Sequence, residues 1–258
     1  MRKMISGYPW WIALLVGLGV FVASFVDAIA GGGGIISVPV YLLAGLPTHL
    51  ALGTNKLSAC LGTTASTYRY VKNKCVDIKI APPTILLALV GSYIGTSLQI
   101  RVDEKYLKYM LLVVLPTVAV FLAKKRTLRE ESEPIAKRKK YLIVLIASLV
   151  IGTYDGFYGP GTGTFLLLVF CNLAKMDVRT ASGNVKLINL ASNVGAVVTS
   201  ALSGKVLFGI GLIAAAFSIV GHYLGAGVTI KNGARLVRPI IFVVLTLLCV
   251  KVVGELVL

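Results

Sequence analysis

Charged residues are scarce in this sequence, and acidic residues are the scarcest. Asp, Glu, Lys and Arg make up 14% of the 258 residues, with 10 acidic against 26 basic side chains and two histidines. Hydrophobic residues make up 57%, and the mean hydropathy of +0.87 is far above that of a soluble globular domain. The composition therefore excludes an ordinary soluble fold and predicts a polytopic membrane protein.

Sequence patterns of enzymes and of metal or nucleotide sites are also missing. There is no HExxH, GxSxG or GxxxxGK(S/T) motif, so no catalytic residue and no nucleotide site are predicted. The four cysteines form no CxxC pair and have no His cluster beside them, so no metal and no cofactor are expected. The basic residues lie between hydrophobic runs, so the net charge of +16 does not predict a nucleic-acid partner.

Eight apolar runs have about the 20 residues that a helix needs to cross the hydrocarbon core. They lie near residues 11–30, 50–68, 81–100, 106–123, 141–158, 180–202, 206–229 and 236–257. The stretch from Trp11 to Leu43 is too long for one straight crossing and too short for two. A broken helix, or a helix with a re-entrant piece, is therefore expected there.

Basic residues divide unequally between the two sides when all eight runs count as crossings. One set of loops and termini carries sixteen and the other carries eight. The positive-inside rule then predicts a multi-pass protein of the cytoplasmic membrane with both termini and the central loop in the cytoplasm. A re-entrant segment would change the number of crossings, and with it the predicted side of the loops and termini.

The two halves of the chain resemble each other at an offset of about 128 to 130 residues. Each half contains an acid, a glycine cluster and a lysine in the same order. In the first half these are Asp27, Gly31–Gly33 and Lys56. This N-terminal pattern recurs in mid-chain, which argues against a cleaved signal peptide. Four crossings in each half would make the repeats parallel, whereas an odd number would invert them.

The predicted fold is all-α, with about eight transmembrane helices in two pseudo-symmetric four-helix repeats. The first helix of each repeat is expected to be broken at glycine. Residues 1–123 form the first repeat, residues 124–140 a charged cytoplasmic linker, and residues 141–258 the second repeat. Secondary transporters commonly have such repeats, with the substrate site at the repeat interface.

The glycine clusters are candidates for binding substrate. Unwound backbone inside a membrane must be buried in protein or face an aqueous cavity, and the helix that resumes at Ile35 would present free N–H groups to an anion. Close packing of helices through small residues is the alternative. The glycine-cluster residues predicted to bind substrate are Gly31, Gly32, Gly33 and Gly34 in the first half and Gly161, Thr162 and Gly163 in the second.

Two lysines lie inside apolar runs at matching positions, Lys56 and Lys186. Such a lysine faces a cavity, pairs with an acid or reaches to the membrane surface. Two cations beside two helix starts would suit a small oxyanion, with Asn55 and Asn184 as hydrogen-bonding candidates. Further polar candidates in these runs are Thr54, Asn189 and Asn193.

Two intramembrane acids, Asp27 and Asp155, precede the glycine clusters. Each is a candidate either for proton coupling or for a fixed pair with a lysine, and the sequence leaves both possibilities open. His222 corresponds to Ser92 in the first half, so it is interpreted as a packed polar side chain.

The stretch GGGGIISVPVYLLAGLPTHLALGTNKL, from Gly31 to Leu57, resembles the sulfite exporter TauE/SafE family. Weaker matches in the second half surround Gly161 and Gly183. The resemblance implies an integral cytoplasmic-membrane transporter with seven or eight crossings, associated with export of sulfite and of organosulfur anions such as sulfoacetate. The role of Lys56 rests on the residues alone.

The expected function is therefore a secondary transporter, working as an exporter, of a small anion such as sulfite or an organosulfonate. A passive anion channel is the alternative, and it would show neither saturation nor exchange. The expected partners are the anion, the lipid bilayer and a proton or other coupling ion, whereas the oligomeric state is not predicted.

Overall fold

The computed structural model describes residues 4–5, 7–107, 109 and 135–232. A short antiparallel pair, β1 (Met4–Ile5) and β2 (Tyr8–Pro9), precedes the helices. The long helices are α1 (Trp10–Ala30), α2 (Gly34–Leu43), α3 (Thr48–Lys72), α4 (Ala81–Arg101), α5 (Lys137–Phe157), α6 (Thr162–Asn172), α7 (Val178–Leu202) and α8 (Phe208–Asn232). Most of the predicted run 106–123, the whole run 236–257 and most of the predicted linker lie outside the described residues.

Five of these helices, α1, α4, α5, α7 and α8, are long and apolar enough to cross a membrane. The helix α3 has 25 residues but carries more polar side chains, many of them buried inside the bundle. The prediction of an all-α, polytopic membrane protein is confirmed. The count of eight crossings stays a prediction.

The helices α1 and α2 form a hairpin, because the chain reverses at the glycine cluster. Gly31 and Gly32 adopt φ angles of +73° and +86°, which glycine reaches without strain. After the turn α2 packs back along α1, since a Cβ on Gly19 would lie 2.7 Å from Val40. The Tyr8 hydroxyl, just before α1, donates to the Gly45 carbonyl just after α2 at 3.2 Å. Both ends of this hairpin therefore lie on one side of the bundle, called here the α1 side.

The second half repeats the hairpin from the opposite side. α3 crosses the bundle to the 73–80 loop, where Asp77 lies 3.8 Å from Lys140 at the start of α5. The side on which α5 begins is called here the α5 side. α7 also begins there, because a Cβ on Gly183 would overlap the Cys75 carbonyl at 1.8 Å. Hence α6 returns to the side from which α5 enters, and the described helices of the two halves are inverted relative to each other.

The two halves are interleaved rather than packed side by side. α1 lies against α8, and α4 lies against α5, so each contact joins the first helix of one half to the last described helix of the other. A Cβ on Gly95 would lie 2.0 Å from the Thr153 carbonyl oxygen, and a Cβ on Gly225 would lie 2.4 Å from that of Phe25. These glycines permit backbone approach between the halves. The fold thereby brings both hairpin tips to the same central region.

Candidate substrate site

Two ion pairs cross between the halves inside the bundle. Lys56 on α3 lies with Nζ 3.0 Å from Asp155 Oδ1 on α5, and Lys186 on α7 lies with Nζ 2.5 Å from Asp27 Oδ2 on α1. The two lysine side chains are 9% and 2% exposed, so neither reaches to the membrane surface. Of the alternatives that the sequence left open, pairing with an acid is the one that both lysines adopt.

Two further groups approach Asp27 beside its lysine. The Gly33 N–H donates to Oδ1 at 2.9 Å, and His222 Nε2 lies 3.8 Å from Oδ2. The other ring nitrogen of His222 lies 3.2 Å from the Ser66 hydroxyl. The anion at the start of α2 is thus the chain's own carboxylate, which takes up one N–H group that the sequence analysis had assigned to substrate.

Asp155 has a different surrounding. The Ser192 hydroxyl donates to its Oδ2. Its partner Lys56 also donates to Asn193 Oδ1 at 3.3 Å, and the Asn193 amide contacts the Thr63 hydroxyl at 3.4 Å. The two ion pairs are therefore alike in their charges but differ in their neighbours, since only the Asp27 pair has a histidine.

A polar cavity of about 50 Å³ lies between the hairpin tips and the helices α3, α7 and α8. A water molecule needs about 10–15 Å³ on this measure, so the cavity can hold a few waters or a small solute. Of the residues predicted to form the site or to surround it, those that line the cavity are Asp27, Gly33, Gly34, Asn55, Lys56, Asp155, Thr162, Gly163, Asn189 and Asn193.

The other predicted residues do not line this cavity, for identifiable reasons. A Cβ on Gly31 would lie 2.3 Å from the carbonyl carbon of Gly163, so here close packing of the two tips, rather than substrate contact, requires glycine. The Asn184 amide donates to the Thr180 carbonyl of its own helix at 2.8 Å. Lys186 is covered by Asp27. The remaining two, Gly32 and Gly161, have positive φ angles and form the turns.

Several cavity residues were missed or underrated by the sequence analysis. His222 was interpreted as packed polar, yet it lines the cavity together with Ser218 one turn earlier on α8. That i, i+4 pair in an apolar helix was the available signal. Asn189, by contrast, was a polar candidate from the sequence, and its buried Oδ1 has no hydrogen-bond partner within the described part of the chain. The missed hydroxyl side chains in the lining are Ser24, Ser37, Ser58, Thr63 and Ser218.

The charges of this region balance when His222 is neutral. Two lysines face two carboxylates, and all four side chains are largely withdrawn from solvent. In a medium of low polarity an additional anion is costly unless it finds an unpaired cation. While His222 is neutral, an anion can therefore bind here only if a carboxylate gives up its lysine or becomes protonated.

The hairpins, the apolar helices and the polar cavity inside the bundle together define a multi-pass membrane protein with polar groups gathered at its centre. The chain belongs to the sulfite exporter TauE/SafE family, whose model matches residues 15–252. It is 33% identical to a probable membrane transporter protein of Haemophilus influenzae, with 95% of each chain covered. It is 32% identical to the probable membrane transporter protein YfcA of Escherichia coli K12, over 99% of this chain and 92% of that one. No solved structure matches significantly. Family membership makes a membrane transporter role the supported function.

Proposed function

We propose that this protein is a secondary transporter that exports a small anion across the cytoplasmic membrane, either sulfite or an organosulfonate such as sulfoacetate. The observation that carries the proposal is the pair of buried lysines that face two acids across the two inverted hairpins. Inverted repeats with broken helices and a site between them are the architecture of many secondary transporters. The family description, sulfite exporter, supports the substrate class.

Binding in this proposal is an exchange of partners. The anion takes the place of Asp155 beside Lys56, with Asn55 and Thr162 offering further hydrogen bonds in the same cavity. Lys186 becomes available in the same way when Asp27 moves or takes up a proton. Protonation of either acid frees a cation for substrate, which gives a direct route to proton coupling.

Export of an anion fits the direction of the membrane potential. A negative cell interior repels each negative charge by about 2.3 kcal/mol per 100 mV. A monovalent anion that leaves without a proton is therefore driven outward without ATP. If one proton accompanies each such anion, the potential does not contribute and the concentration gradients decide the direction.

The membrane orientation that we propose follows from the hairpins. The described basic residues on the α5 side are Arg69, Lys72, Lys74, Lys79, Lys137, Arg138, Lys139, Lys140, Lys175, Arg179 and Lys231, and those on the α1 side are Arg101, Lys105 and Lys205. The positive-inside rule then assigns the α5 side to the cytoplasm. The start of α1 lies outside in this arrangement, opposite to the sequence-based prediction, because a hairpin does not change sides. Six crossings and two hairpins replace eight crossings if the runs 106–123 and 236–257 both cross.

Counterflow in proteoliposomes tests the proposal. We expect saturable uptake of labelled sulfite or sulfoacetate that is stimulated by the same anion inside, with sulfate and thiosulfate as competitors. Lys56→Ala and Lys186→Ala should each reduce it strongly, whereas Lys175→Ala, in the loop before α7, should not. Linear flux without stimulation would identify a channel. No flux for any of these anions would refute the substrate class.

A further inference from the structure

A second, smaller pocket lies beside Lys56, on the route from the central cavity to the α1 side. It has a volume of about 10 Å³, and its polar lining comes from Asn55, Lys56, Thr96, Gln99 and Ser200. Asn55 and Lys56 line the central cavity as well. The Lys56–Asp155 ion pair therefore separates two cavities rather than closing one.

The small pocket leads toward the end of α4. Gln99 is buried, and its amide nitrogen lies 2.8 Å from Nδ1 of His49, a half-buried residue in the first turn of α3. α3 begins and α4 ends on the α1 side. Polar side chains thus continue from Lys56 to that surface, as a route for a hydrated anion requires.

The corresponding place in the second half is filled. The 130-residue offset that aligns Lys56 with Lys186, and Gly95 with Gly225, places Tyr70 opposite Ser200 and Ala226 opposite Thr96. The Tyr70 side chain is fully buried and packs with Ala28, Cys75 and Ala226. Its hydroxyl donates to the Ala28 carbonyl at 3.0 Å. A phenol ring therefore occupies the space beside the Lys186–Asp27 pair that stays polar and partly empty beside Lys56.

We propose that the anion passes between the central cavity and the α1 side through the pocket at Thr96 and Ser200, and that Tyr70 closes the equivalent passage on the α5 side. This inference rests on the proposed transport function. Each ion pair then lies at the inner end of one passage. The described conformation is the one from which the passage toward the α1 side opens. Opening toward the α5 side requires the Tyr70 ring to leave its place.

Cysteine reactivity tests this inference without any substrate. The native cysteines at positions 60, 75, 171 and 249 are first replaced by serine. Thr96→Cys and Ala226→Cys are then treated in vesicles with a small, charged methanethiosulfonate reagent. Ala44→Cys and Lys79→Cys, in the loops after α2 and before α4, report which side the reagent reaches.

We expect Thr96→Cys to react with reagent from the α1 side, and Ala226→Cys to stay unmodified from the α5 side over the same time. Adding Tyr70→Ser should make Ala226→Cys reactive, and adding Ser200→Tyr should protect Thr96→Cys. Tyr70→Phe is the matched control, because it removes the hydrogen bond to Ala28 but keeps the ring, so Ala226→Cys should stay protected.

Equal reactivity of the two cysteines, or protection of Ala226→Cys that survives Tyr70→Ser, would overturn the inference. Retained thermal stability of each variant in detergent shows that reactivity reports access rather than unfolding. A wild-type protein that moves none of the tested anions would refute the proposed substrate, yet the labelling pattern would still decide between the two passages.

Discussion

Lys56 and Asp155 come from different halves of the chain, and among the described residues neither has a second ion-pair partner. Removing one partner of a buried ion pair leaves an uncompensated charge and typically costs about 3–5 kcal/mol, whereas replacing both by apolar residues is often neutral for stability. Changing both members therefore separates the effect on transport from the effect on stability, which changing one member cannot do.

We expect Lys56→Met alone to lower the free energy of unfolding by about 3 kcal/mol or more. Lys56→Met combined with Asp155→Leu should recover most of that stability, yet should not recover transport, because no cation remains in that part of the cavity. Thermal unfolding in detergent and counterflow, measured on the same preparations, check the two effects separately. Transport by the double variant would show that Lys56 does not bind the anion.

The second pair allows a sharper test of proton coupling, because only Asp27 has a histidine beside it. If protons are coupled through Asp27 rather than through Asp155, we expect Asp27→Asn to remove the pH dependence of transport, since the amide cannot exchange a proton. His222→Gln should shift the pH profile while leaving transport in place, because Ser66 and Asp27 can still bond to an amide. Transport rates from pH 5 to pH 8 provide the measurement. A profile unchanged in Asp27→Asn would identify this acid as a structural partner of Lys186 only.

The sequence was sufficient to find these acids and lysines but not to pair them. Duplicated charges inside apolar runs mark a site, because isolated charges are costly in a membrane. Which lysine meets which acid depends on how the halves interleave, and nothing in the spacing within one half contains that information. The role of His222 was underrated because it has no counterpart in the first half.

At the scale of helices, the glycine clusters serve two different purposes. Gly33 and Gly34 line the cavity, Gly31 lets the two hairpin tips touch, and Gly163 does both. The sequence predicted a break at these glycines correctly, because four adjacent glycines favour unwinding. It could not decide whether the chain then continues or turns back, since 33 residues from Trp11 to Leu43 fit either course. The contacts between α1 and α2 decide for the hairpin.

Gly31→Ala should distinguish tip packing from backbone strain. The φ of +73° at Gly31 and of +85° at Gly45 both disfavour alanine, and with its ψ of 176° Gly31 lies in a region that essentially only glycine occupies, where strain costs about 1–3 kcal/mol. A Cβ at Gly45 would meet nothing within 4 Å, whereas at Gly31 it would overlap the backbone of Gly163. We therefore expect Gly31→Ala to cost about 1–3 kcal/mol more than Gly45→Ala. Equal unfolding midpoints for the two variants would show that the tips separate easily.

The described helices of the whole molecule form two inverted halves, and both buried ion pairs join one half to the other. Each hairpin tip supplies an acid to a lysine on a crossing helix of the other half, so that movement of one hairpin breaks a pair with the opposite half. In the proposed transport cycle, exchange between two such pairings would give the two states that alternating access requires. Tyr70 and Ser200 occupy equivalent positions in the two halves. The ring at one position and the small hydroxyl side chain at the other break this symmetry and favour one state.

The inverted arrangement predicts the side of the membrane on which each loop lies. For some loops this prediction is the opposite of the one obtained by counting apolar runs. If the pair α1 and α2 and the pair α5 and α6 each crossed the membrane once, the loops 173–177 and 203–207 would lie outside and inside, respectively. With two hairpins and the α5 side in the cytoplasm, they lie inside and outside. The loops 44–47 and 73–80 lie outside and inside under both schemes, so they serve as controls.

In a cysteine-free background we expect an impermeant maleimide added to intact cells to label Ser203→Cys and Ala44→Cys. The same reagent should label Leu173→Cys and Lys79→Cys only after the cells are permeabilised. Labelling of Leu173→Cys but not of Ser203→Cys in intact cells would mean that the halves are parallel, and the crossed ion pairs would then need another explanation.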